Sequence, residues 1–485
     1  MPVSSARSTV SPATCLTALA GAAALFLTGC AVTPPESRMA EATGAIPEVW
    51  ENVRRAGSQE NVGDWIAGFR DARLEALVDE ALANNPDLRA ASARIDQARA
   101  QSRAARSARG PAFDLGGNAT RQKQNFIGFP IPGADEGSVL SVENPSYGVS
   151  LDLAWEVDLW GRVAAGERAA VAAVQAATAD AQAARLSLAA QVAKAWFALA
   201  EAMEQQEHAE AALASARQTV ELIRERFDSG QIDAGASAAQ LRLAMSDASG
   251  AEADLETTAF LRERAARQLS ALLGRYPSDA EKPARLPEPG GPPPAGLPSE
   301  LLTRRPDLLA AERRFAAQGA RQQEAARALF PQFSLTGSRG TSTDSLGEIL
   351  KSDFGVWRLG ANVTQPIWRS GRILAEIDLR DAEEQEAMAA LQSAVIQAFL
   401  EVETFLAGEN RLAQRERSLA EARQLAEEAD RAAREEFASG TGDILTVFAA
   451  EARLVAARRQ FSAARLERLE NRINLHLALG GGFRN

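Results

Sequence analysis

The residues best able to do chemistry in this chain are three carboxylates on one extended segment. Asp152, Glu156 and Asp158 alternate with apolar residues, so they share one face of a predicted strand. The two histidines, His208 and His476, lie in helical stretches with no cysteine or histidine at metal-ligand spacing. No nucleotide-binding glycine loop follows a predicted strand, and no nucleophile elbow is evident. The sequence therefore predicts no enzyme, no metal and no cofactor, and both histidines are interpreted as structural.

The first 29 residues have the layout of an export signal. One basic residue, Arg7, precedes an apolar run over 16–27 that is too short to span a membrane. The run ends in Leu-Thr-Gly-Cys at 27–30, which resembles the bacterial lipobox. That resemblance implies a covalent lipid on Cys30, and Ala31 after it implies sorting to the outer membrane. An ordinary signal peptide with an incidental cysteine is the alternative.

Composition and charge narrow the class of protein. The formal net charge of −11 argues against a nucleic-acid partner. No apolar stretch of 18 residues follows the signal, so no transmembrane helix is predicted. Alanine, glutamate, glutamine, arginine and leucine dominate the long runs, which is typical of closely packed helices of the coiled-coil kind.

The chain contains a long internal repeat. The Trp-Gly-Arg at 160–162 and the Ser-Gly-Arg at 370–372 lie 210 positions apart, and each precedes a long run without proline. The Pro-Asp-Leu strings at 86–88 and 306–308 lie 220 positions apart. The difference predicts a ten-residue insertion in the first copy, within or near 124–144, and duplication of a whole structural unit. A helix as long as either proline-free run would be about 100 Å in length.

Two hairpins of alternating polar and apolar residues are predicted, at about 112–158 and about 332–366. A soluble β-sandwich would show the same alternation, but no other β element is available to cover the apolar faces. Four tryptophans are expected to cluster at one end of the strands as an aromatic girdle; they are Trp155, Trp160, Trp357 and Trp368. The pattern favours strands that face lipid.

Four strands cannot close a barrel, because the smallest outer-membrane barrels have about eight. An open strand edge in lipid would leave backbone groups unpaired. The chain is therefore expected to share its barrel with copies of itself, and the strand count allows either a dimer or a trimer.

The sequence predicts five segments, which differ in pattern and composition. They are a signal peptide at 1–29, a lipid-anchored arm at 30–70, a first repeat at 71–282 with its helical hairpin at 161–273, a proline-rich linker at 283–298, and a second repeat at 299–485 with its helical hairpin at 371–480.

Two motifs carry a family resemblance. Residues 297–307, Leu-Pro-Ser-Glu-Leu-Leu-Thr-Arg-Arg-Pro-Asp, strongly resemble the hallmark of the TolC-like outer-membrane factor family. Residues 155–162 resemble that family's barrel-to-helix junction, and the likeness is closest to the lipidated OprM/NodT-like branch. The resemblance implies an α+β membrane protein. In it, a homotrimer forms a 12-stranded β-barrel, four strands per chain, continued by a long α-helical tunnel through the periplasm.

The same resemblance implies a function. The chain would be the outer-membrane channel of a tripartite efflux system, a passive exit duct served by an inner-membrane RND transporter through a periplasmic adaptor. Two alternatives remain at this stage: the outer-membrane duct of a type I secretion system, and a periplasmic coiled-coil scaffold lipoprotein.

In such a channel the acidic strand face would line the lumen. Asp152, Glu156 and Asp158 would then form rings of like charge that favour cations. The simpler interpretation is that these acids only keep the face wet.

The far ends of the helical hairpins would be the periplasmic tips, at Gly230 and Gly440. The resemblance implies a gate beside the second tip at Asp443, and the 210-residue offset pairs that residue with Asp233 in the first copy. A plain helix N-cap is the competing interpretation for both aspartates.

Overall fold

The computed structural model describes residues 39, 46–51, 65–126, 140–229, 237–291, 293–296 and 298–481. It divides into two compact units. The strand unit contains residues 104–171 and 320–377. The helical unit contains residues 37–103, 172–319 and 378–485.

Each repeat contributes two short helices, a β-hairpin and a long helical hairpin. In the first copy the elements are α1 (Ala72–Asn84), α2 (Pro86–Ser107), β1 (Ala112–Phe126), β2 (Leu140–Val157), α3 (Arg162–Asp228) and α4 (Ala238–Leu272). In the second they are α5 (Pro298–Arg304), α6 (Pro306–Arg327), β3 (Gln332–Thr343), β4 (Gly355–Thr364), α7 (Arg372–Ala438) and α8 (Ile444–Ala478).

The strand unit is built on one antiparallel sheet in the order β1-β2-β3-β4. The two hairpins are joined through β2 and β3, which pair from Tyr147 opposite Thr343 to Val157 opposite Phe333. This leaves β1 and β4 as the two edges. The apolar side chains of both edges are exposed, at 78% for Leu115 and 74% for Leu359. Among the described residues of one chain, the sheet therefore has neither closed edges nor a covered apolar face.

The strands of the first hairpin extend into the predicted insertion. The insertion was expected within or near 124–144, and within that range β1 reaches Phe126 and β2 begins at Leu140. Polar pairs across the strands hold the added length: Arg121 binds Glu143 at 2.7 Å, and the Ser141 hydroxyl donates to Asn125 Oδ1 at 2.8 Å. The turn itself lies outside the described residues. The insertion therefore lengthens the ladder, because polar residues pair as well as apolar ones across antiparallel strands.

The tryptophans do not share one end of the sheet. Trp155 lies near the end of β2 that leads into α3, and Trp160 and Trp368 follow the ends of β2 and β4. Trp357 lies near the start of β4, opposite Arg339. The chain enters β4 from the far side, so Trp357 is about 24 Å along the strand from its end at Thr364. The prediction of a single cluster is wrong, because Trp357 lies away from the strand ends that the other three tryptophans share.

The two repeats are fastened in equivalent ways inside the helical unit. The Asn85 amide, just before α2, donates to the Leu272 carbonyl at the end of α4, at 3.0 Å. At the equivalent place before α6, the Arg305 guanidinium donates to the Ala478 carbonyl at the end of α8, at 3.3 Å. Each long hairpin thus returns to the start of its own repeat, where these bonds satisfy carbonyls that the helix ends leave open.

A glycine with positive φ completes each of these joints. Gly274 has φ +74 and Gly480 has φ +84. A Cβ on Gly274 would meet the Asn84 carbonyl oxygen at 2.9 Å, and one on Gly480 would meet that of Arg304 at 3.1 Å. Only glycine combines this backbone conformation with so close an approach.

Two buried apolar clusters form the centre of the helical unit. One joins α1, α3 and α4, and the other joins α5, α6 and α7; each also receives residues from α8. No transmembrane helix was expected, yet by length and composition alone α7 is apolar enough to cross a membrane. The second cluster accounts for part of that apolar character, because α7 buries five of its residues there: Leu391, Val395, Ala398, Val402 and Leu406.

The predicted arm is anchored by aromatic residues. Most of 30–70 lies outside the described residues, but Trp50 is 3% exposed and its indole donates to the Gly296 carbonyl at 3.0 Å. Trp65 is equally buried, in the first apolar cluster. The sequence pattern did not predict these two anchors, because isolated tryptophans in an irregular stretch produce no periodic signal.

A buried ion pair joins α7, α8 and the linker. Arg472 and Glu409 lie 2.6 Å apart with side chains only 5% and 6% exposed. The Asn471 amide also donates to Glu409, at 3.1 Å. A second arm of the Arg472 guanidinium donates to the Gly291 carbonyl of the proline-rich linker at 2.6 Å. The linker is therefore held by Arg472, whose charge is balanced by the buried carboxylate of Glu409.

Removing the Glu409 carboxylate should destabilise the protein strongly. Glu409→Ala leaves Arg472 buried without its counter-ion, which typically costs about 3–5 kcal/mol. The matched control is Glu252→Ala, because Glu252 pairs with Arg217 at 3.2 Å on an exposed surface where both side chains are 61% accessible. That change should cost about 0–1 kcal/mol. Thermal unfolding in detergent measures both, and equal losses would contradict the assignment.

His476 is a buried, neutral residue of the same region. Its ring stacks on Trp65 with centroids 5.5 Å apart, and its Nδ1 is buried with no hydrogen-bond partner among the described residues. Burial lowers the pKa of His476 to about 4, with the Arg472 guanidinium acting in the same direction and Glu409 opposing it. The structural interpretation of this histidine agrees with these contacts.

The depressed pKa of His476 predicts a loss of stability in acid. The unfolded chain, with a histidine pKa of about 6.5, binds the proton more readily than the folded one. The free energy of unfolding should therefore fall by about 1–3 kcal/mol between pH 6.5 and pH 4, with no effect above that window. Thermal midpoints at pH 7 and pH 4.5 measure the loss. His476→Phe should lose less than the parent, and an equal loss in both would rule out this histidine as the cause.

Candidate functional site: the strand–helix junction and the helical tips

The first strand–helix junction is held by two of the predicted lumen acids. Glu156, near the end of β2, binds the Arg162 guanidinium with both carboxylate oxygens, at 2.8 and 2.9 Å. Asp158 accepts the Ala164 backbone N–H at 2.8 Å. β2 ends at Val157, so Asp158 does not lie on the strand, where it was expected, but in the short connection before α3. A carboxylate there satisfies a free N–H and complements the helix dipole.

The helix that precedes β3 packs against the same junction. Arg327 of α6 donates to the Gly161 carbonyl at 2.6 Å, where Gly161 has φ +72. Trp160 stacks on Phe330 with ring centroids 5.3 Å apart and donates from its indole to the Pro331 carbonyl at 2.8 Å. The exit from β2 is thus fixed by residues of the second repeat.

The second junction, between β4 and α7, is held less closely by the described residues: the Gln365 amide donates to the Leu329 carbonyl at 3.0 Å, but the residues after it are exposed. Ile367 is 92% exposed and Trp368 is 83% exposed. Ser370 and Gly371 both have positive φ, at 48 and 77, and a Cβ on Gly371 would meet nothing within 4 Å. The two junctions share the Gly-Arg sequence but differ in what covers them.

Of the three predicted lumen acids, only Asp152 lies in the middle of the polar strand face. Its carboxylate accepts the Ser150 hydroxyl at 2.7 Å and a hydrogen bond from Ser338, directly across the sheet. No salt bridge to Asp152 is present among the described residues. Glu156 and Asp158 are committed to the junction, so the lumen-charge hypothesis narrows to one residue per chain.

The second helical tip is a tight turn capped at both sides. Gly440 has φ +81 and donates to the Phe437 carbonyl at 3.1 Å, which closes the end of α7. Asp443 then accepts the Leu445 N–H at 3.2 Å as the N-cap of α8. The next residue, Ile444, is fully buried in an apolar cluster. The structure thus shows the capping role of Asp443, and its side chain remains exposed.

The first tip is described only in part, and Gly230 and Asp233 lie outside the described residues. The following helix, α4, has Ser237 as its N-cap, with a capping box to Gln240. α4 and α8 each have 35 residues, so Ser237 corresponds in structure to Asp443. The offset of 210 pairs Asp443 with Asp233 instead. That pairing is wrong because the first copy has four more residues in its tip.

Arg226 links the ends of α3 and α7, a contact that the sequence pattern did not predict. Its guanidinium lies 4.1 Å from the Phe437 ring centroid and donates to the Phe437 carbonyl at 3.0 Å. The corresponding residue of the second copy is Glu436. Within these similar motifs, arginine is replaced by glutamate at this position. That difference in charge could have indicated a contact between the repeats.

No group of three or more histidine, cysteine or acidic residues that could hold a metal occurs in the part of the chain that the structure describes. The features that stand out are instead an exposed apolar strand face, a polar face behind it and capped helical tips.

Comparison with known proteins identifies a family with these features. The model of the family described as "Outer membrane efflux protein" matches residues 77–275 and 297–481. The outer membrane protein OprJ of Pseudomonas aeruginosa is 32% identical over 469 residues, which covers 95% of this chain and 94% of that protein. The probable efflux pump outer membrane protein SepC of Pseudomonas putida is 30% identical over 425 residues, covering 87% and 86%.

Solved structures similar to this chain agree with that family. The outer-membrane channel OprN has a TM-score of 0.82 at 27% identity, covering 93% of this chain and 99% of that one. The open state of the Neisseria gonorrhoeae MtrE outer membrane channel has a TM-score of 0.74 at 30% identity, covering 93% and 97%.

The sheet and the paired long helices define an outer-membrane channel protein, built from strands and a helical extension. This chain belongs to the outer membrane efflux protein family. It is an outer-membrane channel component of an efflux system, with helices that extend into the periplasm. The predicted family, fold class and location are confirmed.

Proposed function

We propose that three copies of this chain form a passive exit duct. The observation that carries the proposal is the open four-stranded sheet, whose apolar face is exposed and whose two edges pair with no other described strand of the chain. Two copies would supply eight strands, and side chains fill the interior of a barrel of that size. Three copies supply twelve strands and leave room for a water-filled lumen behind the polar faces.

The duct would be served by partners at its periplasmic end. A periplasmic adaptor would dock on the helical tips, and an inner-membrane RND transporter would supply the energy. Relatives carry names such as toluene efflux pump and pyoverdine export outer membrane protein, so related channels are named for chemically different cargoes. This diversity supports a duct that passes whatever its pump delivers.

An N-terminal lipid on Cys30 would add a second attachment to the outer membrane. The support is the Leu-Thr-Gly-Cys string and Ala31 after it. A lipid anchor binds through its acyl chains at about 0.8 kcal/mol per buried CH₂, and the apolar face of a barrel buries a much larger surface. The lipid would therefore assist delivery and attachment, and the strands would hold the protein in place.

Cys30→Ser tests this division. The variant should lose the acyl mass from its mature N-terminus, measured by mass spectrometry, and should still fractionate with the outer membrane. An acyl group that persists would refute lipidation at Cys30. A variant found wholly in the soluble periplasm would refute the membrane role of the strands.

Asp443 would contribute to the gate at the tips in addition to capping α8. In a ring of three copies, three exposed carboxylates would approach one another, and repulsion must be offset by cations, protonation or hydrogen bonds. Adaptor docking would then shift an existing balance between closed and open tips.

Two substitutions at Asp443 separate gating from capping. Asn is as good an N-cap as Asp, whereas Ala costs about 1 kcal/mol. If the charge gates, Asp443→Asn and Asp443→Ala should both change the resting conductance in planar bilayers, in the opening direction if it forms a closing contact. If only Asp443→Ala has an effect, the residue is only a cap. Asp152→Asn is the control: it should reduce cation selectivity, measured as reversal potential, without raising the resting conductance.

A further inference from the structure

The two repeats superimpose residue by residue at the level of strand pairing. In the first hairpin, Asp114 of β1 lies opposite Asp152 of β2. Asp114 plus the offset of 220 corresponds to Ser334, and Asp152 plus the offset of 210 corresponds to Asn362. These two residues also lie opposite each other. The helices obey the same offsets: α2 and α6 both have 22 residues, and α3 and α7 both have 67. The duplication is therefore a reliable guide to contacts.

One contact of the repeat lacks its counterpart within the chain. β2 pairs with β3, where Asp152 lies opposite Ser338. The equivalent of β2 is β4, and the equivalent of β3 is β1, yet β4 and β1 are the two edges of the sheet. The equivalent of that middle pair is Asn362 and Asn118, and within one chain each lies on an unpaired edge.

We propose that β4 of one copy pairs with β1 of the next copy in the register that places Asn362 opposite Asn118. This proposal rests on the proposed ring and adds its register. The faces agree: Ala361 and Val363 would meet Ala119 and Gly117 of the neighbouring copy, all on the lipid side. A shift by one residue would set polar against apolar faces, so only even shifts compete.

The same offsets predict helix contacts between copies. Within the chain, Arg168 at the start of α3 donates to Gln323 of α6 at 3.1 Å. The equivalent positions are Asp378 of α7 and Arg103 of α2, which carry opposite charges and are both exposed. Asp378 of one copy would therefore form an ion pair with Arg103 of the next.

A neighbouring position supports the same alignment through side-chain size. Within the chain, the Glu324 carboxylate packs against Gly166, where a Cβ would lie 2.9 Å from it. The equivalent pair is Ala104 on α2 and Glu376 on α7. In the first pair the glutamate is on α6 and the small residue on α3, whereas in the equivalent pair the glutamate is on α7 and the small residue on α2. Each pair therefore has space for one carboxylate. The second strand–helix junction, uncovered within the chain, would be covered in this way by the neighbour.

Disulfide trapping tests the register. In a chain with Cys15 and Cys30 replaced by serine, Asn118→Cys with Asn362→Cys should link copies into covalent dimers and trimers on oxidation, seen on denaturing gels. Directly opposite residues lie within disulfide reach, whereas partners two residues away are about 7–8 Å apart. The controls are therefore Asn118→Cys with Gly360→Cys and Asn118→Cys with Thr364→Cys, which should link poorly.

The outcomes separate this proposal from the proposed function. A trimer that links best through a control pair, or through no pair, overturns the register while the duct stands. A protein that is monodisperse as a folded monomer in analytical ultracentrifugation overturns the ring and the register together.

Charge reversal provides a second readout without cysteines. Asp378→Arg and Arg103→Asp should each lower the fraction of trimer that survives mild denaturation. Combining the two should restore it, because the pair is re-formed with reversed charges. Additive losses in the double variant would overturn the helix contact.

Discussion

The backbone hydrogen bonds of the two edge strands are the constraint on which the rest of this structure depends. In hydrocarbon an unpaired N–H or C=O costs several kcal/mol, because no water can replace the missing partner. β1 and β4 leave such groups open along their outer sides, and their apolar side chains are exposed. A soluble protein could protect such edges with charges or a covering loop. In lipid only pairing removes the cost, so the single chain is an incomplete unit.

The same incompleteness appears where the strands meet the helices. The first junction is fixed inside the chain by Arg162, Arg327 and the stacked Trp160. The second has the same Gly-Arg sequence and is uncovered. Duplication accounts for this difference, because each repeat contacts the one after it and the last repeat of a chain has no successor within that chain. One chain therefore contains one complete contact between repeats, the pairing of β2 with β3, and the two separate strands, β4 and β1, that would form the equivalent contact between copies.

Local patterns predicted much of this fold, and the errors arose where distant residues meet. Alternation with period 2 indicated the strands, and proline-free runs indicated the long helices, because both signals arise within a few residues. The extension of β1 to Phe126, the position of Trp357 and the contact made by Arg226 depend on which strand or helix lies alongside. The tip alignment failed for a different reason: an unchanged offset concealed a loop of different length, which the helix caps Ser237 and Asp443 reveal.

The amino-acid sequence by itself determined the repeat, the types of element, the family and the expectation of a shared barrel. These follow from periodicity, from proline and glycine positions and from strand count, none of which requires knowledge of contacts. Only the tertiary structure decided which acids are available to a lumen. Glu156 is neutralised by Arg162 and Asp158 caps α3, while Asp152 contacts only hydroxyl groups among its described partners. The sequence does not indicate whether an acidic side chain faces water, an arginine or a helix end, because its role depends on its neighbours in space.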